Sequence, residues 1–175
     1  SVQETDTKLL ASVLPHLPEN IQSQILSVEE FRGDITVVLK KEGLRDVVEF
    51  LKTDPNCRFD VMMDLFAMDY LKYSAETPER FAVVYHLVSL MQKRRVRLKV
   101  FVPEENPALD SIHDLYKAAN WFEREAWDLF GIQFTGHPNL VRILCHSEFE
   151  GHPLRKDYPS DQYQRLKATT TSEGL

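Results

Sequence analysis

Asn120-Trp-Phe-Glu-Arg-Glu-Ala-Trp-Asp-Leu-Phe-Gly131 divides this chain, and the stretch beyond it, as far as Glu150-Gly-His-Pro-Leu-Arg-Lys-Asp-Tyr-Pro159, has a different character. Asn120 is a good N-cap residue, and Glu123, three positions on, is spaced to reach back to the amide of residue 120 as in a capping box. A helix is therefore expected to start at Asn120. At about 100° per residue, Phe122, Ala126 and Phe130 share one face with Trp127 beside it, and Gly131 supplies a left-handed stop. The opposite face gathers Trp121, Arg124, Glu125 and Asp128, with Arg124 and Asp128 at the i, i+4 spacing of an ion pair.

Beyond Gly131 neither hydrophobic period continues. Pro138, Pro153 and Pro159 bias His137, His152 and Tyr158 toward extended backbone, and Phe134, Leu140, Ile143, Leu154 and Tyr163 follow no repeat. So long a stretch without regular structure is uncommon in a compact domain unless it is functional, disordered or held by a partner. Its recurrent apolar and aromatic residues oppose disorder. The expected organisation is an α+β domain over residues 1–131 that ends in this helix, and an extended, partner-docking tail over residues 132–175.

Upstream, Leu10, Val13, Leu14 and Leu17 form one stripe of a short first helix capped by Thr7 and limited by Pro15 and Pro18. The β-prone runs 24–31 and 34–40 flank Arg32-Gly33, a hairpin pattern. Leu44, Val47, Val48 and Leu51 repeat as on an amphipathic helix that stops before Asp54-Pro55, with Arg45, Asp46, Glu49 and Lys52 on its polar face. From Arg58 the period becomes 2, with Phe59, Val61, Met63 and Leu65 on one side and Asp60, Met62, Asp64 and Phe66 on the other. Met62, Met63 and Met68 are expected to fill the core. The run 81–90 is apolar on both parities, as in a strand covered on both faces. Arg95, Arg97 and Lys99 then alternate with Val96, Leu98, Val100 and Val102; Asp60 and Asp64 are possible cross-strand partners for that basic face. A short helix over 111–116 precedes the one at Asn120. The order predicts helices on one face of a mixed, mainly antiparallel sheet.

The 175 residues are 43% apolar, enough for one core, and the net charge of −6 has no long single-sign run. General binding to nucleic acid or to a membrane surface is thereby disfavoured. The run 81–91 is far short of the roughly 20 residues of a spanning helix. The N-terminal residues lack a secretory or transit pattern, and two distant cysteines, Cys57 and Cys145, fit a reducing compartment better than a disulfide framework. His137, Cys145, His146 and His152 lack the paired spacings of a closed zinc site. There is no iron–sulfur cysteine cluster and no phosphate-binding glycine loop. Glu123, Glu125 and Asp128 lie beside Arg124 on one helix, a pattern of charge pairing or docking rather than acid/base chemistry; Arg142, Arg155 and Lys156 are candidate partners from the chain's own tail. Arg155-Lys156-Asp157, flanked by Leu154 and Tyr158 and bracketed by Pro153 and Pro159, reads as a preorganised docking strip.

Glu123-Arg124-Glu125, Trp127-Asp128-Leu129-Phe130-Gly131-Ile132, Gly136-His137-Pro138-Asn139-Leu140, Arg142-Ile143-Leu144 and Glu150 to Pro159 together resemble the signature of the complex I 30-kilodalton family, the C subunit of proton-pumping NADH:quinone oxidoreductase. Val141 departs from it, standing where a second basic residue beside Arg142 is expected. The resemblance implies an α+β subunit of the peripheral arm. Its partners would be the D-type, 49-kilodalton subunit and neighbouring iron–sulfur subunits, on the cytoplasmic side of a bacterial inner membrane or the matrix side of a mitochondrial one. It implies no cofactor in this chain, with NADH, FMN, iron–sulfur clusters and quinone in the partner subunits. Partner-binding residues would be Glu123, Arg124, Glu125, Asp128, His137, Arg142, Leu154, Arg155, Lys156, Asp157 and Tyr158. The equivalent subunit of a related membrane-bound hydrogenase or other donor-dependent dehydrogenase stays open, and a free-standing hydrolase using Glu123, Glu125, Asp128 and His137 is the remote alternative.

Overall fold

A computed structural model describes residues 10, 11, 14, 16–71, 77–145 and 149–159. After a single helical turn, α1 (Glu19–Gln22), come β1 (Ile25–Phe31) and β2 (Asp34–Leu39). Arg32 and Gly33 between them have φ of 53° and 82°, the positive pair that a type I′ turn needs to match the strand twist. A 3₁₀ turn (Lys41–Gly43) leads into α2 (Leu44–Thr53), then β3 (Val61–Asp69), β4 (Phe81–Ser89), β5 (Arg94–Val102), β6 (Ala108–Asp110), α3 (Lys117–Phe130) and β7 (Gln133–Thr135). The large sheet has the order β1-β2-β5-β4-β3. Only its β2–β5 pair is parallel, so the expected α+β architecture with a mixed, mainly antiparallel sheet is what the chain adopts.

Register explains where the core sits. Val37, Leu98, Tyr85 and Leu65 align across four strands and are all buried on the face covered by the helices. Thr36, Arg97, His86 and Asp64 make the corresponding row on the other face. The α2 residues Leu44, Val47, Val48 and Leu51 close over the first row, as their spacing predicts. Arg95 and Arg97 pair with Asp34, at 3.1 and 3.0 Å, rather than with Asp60 or Asp64, because β4 lies between β5 and β3.

Four expectations are corrected. The alternation expected along β3 breaks at a register shift between Met62 and Asp64. A bulge of this kind inserts one residue and reverses parity; Met62 and Leu65 are therefore both buried, and Met63 is exposed rather than core filling. The helix expected over 111–116 is one turn in which Ile112 O accepts from the amides of Leu115 and Tyr116. The helix expected from Asn120 starts three residues earlier, with extended Tyr116 as its cap position and no side-chain cap. Tertiary contacts set that start, since Tyr116 donates its hydroxyl proton to Phe59 O and its ring lies under Lys52. Finally, the boundary expected at Gly131 falls inside the packed domain: Ile132 and Phe134 are core residues, and Phe134 pairs with Leu109 in the parallel β6–β7 ribbon.

Leu10, Leu14 and Leu17 of the expected first helix are buried; Thr7, Val13 and Pro15 lie outside the described residues, as does 160–175 of the expected tail. Among the described residues no helix is long and apolar enough to cross a membrane.

Candidate functional site

The charges of α3 are distributed between its two sides, and each side serves a different contact. Glu123 turns into the core. Its Oε2 accepts the Ser111 hydroxyl proton at 2.6 Å and its Oε1 accepts the Ile112 amide at 2.8 Å, so the carboxylate ties the turn before the helix to the helix itself instead of closing a capping box on residue 120. His137 Nδ1 accepts from the Asn139 amide, which places its proton on Nε2, donated to Asn120 O at 3.0 Å. That Nε2 lies 4.0 Å from Glu123, with both side chains fully buried. Burial pushes the Glu123 pKa up to about 7, partly offset by the bonds from Ser111 and Ile112. The Tyr85 hydroxyl is buried and finds no partner among the described residues; burial, then the Glu123 charge, holds its pKa well above that of a free phenol.

Asp128, on the strap side of α3, is also fully buried. One of its oxygens receives three successive backbone amides, Ile143 at 3.2 Å, Leu144 at 2.8 Å and Cys145 at 2.9 Å. The other receives Arg142 Nη1 at 2.7 Å. Consecutive amides wrapped on one oxygen make an anion nest. Burial raises the pKa of this carboxylate, but the amides of Cys145, Leu144 and Ile143 outweigh it and leave the pKa below the ordinary value. The ion pair anticipated between Arg124 and Asp128 is thus replaced by Arg142–Asp128. Arg124 instead lies 5.8 Å from the exposed Trp121 ring and points Nε at Val141 O, 3.4 Å away.

The segment 149–159 is a strap folded back on the helix. The Leu154 amide donates to Leu129 O, and Arg155 Nε donates to Phe130 O at 2.6 Å, one cation at the carbonyl end of the helix. His152 Nδ1 reaches Asp128 O at 2.9 Å. Gly131, at φ 77°, makes room for this crossing: a Cβ there would lie 2.6 Å from His152 and 2.7 Å from Arg155.

The far end of the strap enters a hub that the residue pattern does not reveal. Arg80 grips Asp69 through two nitrogens, at 3.0 and 2.8 Å, and also binds Glu104 at 2.6 Å and Asp157 at 2.7 Å. Asp69 in turn accepts the amides of Leu71 and Lys156. Its one sequence signal is a carboxylate in the buried parity of Leu65 and Ala67.

Of the residues expected to face a partner, Glu123, Asp128 and His137 are therefore buried against their own chain. Arg142, Arg155 and Asp157 bind their own chain too. Glu125, Leu154, Lys156 and Tyr158 retain outward surface, with Tyr158 stacked on Phe149 at 6.0 Å. Among the described residues no group of three or more His, Cys, Asp or Glu gathers as metal ligands.

A five-stranded mixed sheet, crossed by one helix onto which a C-terminal strap is keyed by buried charge, defines an α+β domain. The chain belongs to the family described as respiratory-chain NADH dehydrogenase, 30 Kd subunit, whose model matches residues 37–164. It is similar to the C subunit of NADH-quinone oxidoreductase from Rhodobacter capsulatus, 41% identical over 90% of this chain and 77% of that protein. With the C subunit of the same enzyme from Roseiflexus sp. (strain RS-1), identity is 48% over 85% of this chain and 83% of that one. Among solved structures, a trypsin-resistant fragment of Nqo5 superposes with a TM-score of 0.64 at 40% identity, covering 70% of this chain and 94% of the fragment. A chain of an archaeal membrane-bound sulfane sulfur reductase shares the fold, with a TM-score of 0.68 at 21% identity over 95% of this chain and 98% of that one.

Proposed function

We propose that this chain is a structural and assembly subunit of the peripheral arm of proton-pumping NADH:quinone oxidoreductase. It packs on the D-type, 49-kilodalton subunit, beside the iron–sulfur subunits, on the cytoplasmic side of a bacterial inner membrane, and braces the module that reduces quinone. NADH, FMN, the iron–sulfur clusters and quinone belong to its partners. One observation carries this reading: three buried carboxylates are engaged by donors of the same chain, Asp128 and Asp69 holding the segments 142–145 and 149–159 to the domain and Glu123 tying the turn at Ser111 and Ile112 to α3.

Carboxylates engaged in this way position backbone, and no nucleophile with an oxyanion donor set gathers beside them among the described residues. Trp121, Val141, Leu144 and Leu154 are large and exposed, and Arg124 lies over the Trp121 ring and against Val141 O. Apolar anchors beside a planar cation are the usual composition of an interface centre. Val141, where the resemblance leads one to expect a basic residue, adds to the apolar part.

The test is binding between the purified chain and the purified D-type subunit. Arg124→Glu is expected to weaken association by more than about 1 kcal/mol, the usual threshold for an interface residue that matters, while circular dichroism and melting stay as in the wild type. Lys156→Ala is expected to do less. Unchanged affinity in Arg124→Glu would remove the face from the interface, and subunits co-purifying with a tagged chain from native membranes distinguish this complex from a related donor-dependent one.

A further inference from the structure

Strand β3 is an edge strand: β4 pairs with one side of it, and no strand pairs with the other among the described residues. An unpaired edge offers alternating N–H and C=O groups to any extended chain. Soluble proteins blunt such edges with charge, and the opposite edge shows this, since β1 carries Glu29 and Glu30 with both exposed. From Leu65 to Met68, β3 carries no charge at all. The shift in its pairing with β4 falls between Met62 and Asp64, and the register is regular from Asp64 to Asp69.

A groove of about 170 Å³ lies between β3 and α3, with Leu154 of the strap in its lining. Leu65, Ala67, Ala126, Leu129 and Leu154 line it, a volume suited to one or two aliphatic side chains. Phe66 borders the groove as well and is 41% exposed. A strand added here would cover Phe66 together with the rest of the groove lining. Glu125 lines the groove too, half-buried, and has no hydrogen-bond or ion-pair partner among the described residues. A cation on an occupant would complement the negative charge that Glu125 places at the groove.

We infer that the β3 edge and its groove take an extended segment of a different polypeptide, apolar at alternate positions and carrying a Lys or Arg opposite Glu125, which adds a sixth strand to the sheet. The surface is read from this chain alone; that the segment comes from the D-type subunit rests on the function proposed above.

Site-specific photo-cross-linking in cells expressing the whole complex tests both parts. A benzophenone side chain is placed at Phe66 and, in a second chain, at Glu30 on the β1 edge, and the cross-linked peptides are mapped by mass spectrometry. The expected result is one defined segment of a stoichiometric subunit, with Lys or Arg within a few residues of the linked position, from Phe66 and not from Glu30. Glu125→Lys should lower the yield at least 10-fold and Glu125→Asp should leave it near the unmodified level. A defined segment of the D-type subunit upholds the site and the proposed function together. A segment of another stoichiometric subunit upholds the site and overturns the choice of partner. Linkage to a second copy of this chain, to its own residues 160–175 or to nothing overturns the inference, as does a yield indifferent to Glu125→Lys.

Discussion

Replacing Asp128 by Asn keeps the side chain's shape while removing the charge on which four donors converge. In the wild type those donors lie at 2.7 Å for Arg142 and at 3.2, 2.8 and 2.9 Å for the amides of Ile143, Leu144 and Cys145. A hydrogen bond to a charged group contributes about 1.5–3 kcal/mol, so a plain sum would be about 6–12 kcal/mol. That sum is an upper limit, because segment 141–145 can swing out and hydrate. Breaking a buried ion pair costs about 3–5 kcal/mol; Arg142 also donates to Gly151 O at 2.6 Å, which keeps it from being stranded and favours the lower end. The expected loss is about 3 kcal/mol, or about 6–12 °C in Tm for a chain of this size. Hydrogen exchange should accelerate first at Ile143, Leu144 and Cys145.

The pH dependence has a definite sign. The folded pKa of Asp128 is below its ordinary value, so the carboxylate stabilises the fold above the unfolded pKa, near 4, and that contribution is lost as pH falls through the folded pKa. The gap between wild type and Asp128→Asn should accordingly be constant from about pH 5 to 8 and narrow below about pH 4. A variant melting within about 1 °C of wild type at pH 7, with exchange at 143–145 unchanged, would refute the assignment of Asp128 as the anchor of the strap.

Glu123 has the opposite sign: its folded pKa of about 7 lies above the ordinary carboxyl value, so wild-type stability should decline between about pH 4.5 and 7 while Glu123→Gln stays flat; parallel melting curves for the two across that range would count against it. Arg80→Met removes the partner of buried Asp69 and should cost about 3–5 kcal/mol, whereas Asp157→Asn, on the exposed side of the same hub, should cost about 0–1 kcal/mol, both read from chemical denaturation. Gly131→Ala combines a left-handed residue, about 1 kcal/mol, with the clash against His152 and Arg155, and should loosen 149–159 in hydrogen exchange while leaving β4 protected.

Hairpin, α2 and the alternation of β5 could be read directly because each depends on contacts close in sequence: the positive-φ pair at Arg32-Gly33, the 3.6-residue stripe Leu44 to Leu51, and the period-2 row Val96 to Val102. The motifs of the candidate site were equally legible as residues, from Glu123 to Tyr158, and they carried the family. The direction in which each charge points was not legible. Glu123 and Asp128 look alike on a helical wheel beside Arg124, yet one is drawn into the core by Ser111 and Ile112 and the other into a nest of amides fifteen and more residues away. The parity of β3 depended on a bulge whose one extra residue has no local signature. Arg80 and Asp69, 11 positions apart, became the strap's second anchor only when β4 folded against β3 and Asp157 arrived from 77 positions away. Local propensity determines elements, because its energies act within a few residues; which charges are buried and what satisfies them is decided by tertiary structure, because a charge taken out of water must find donors wherever the fold brings them.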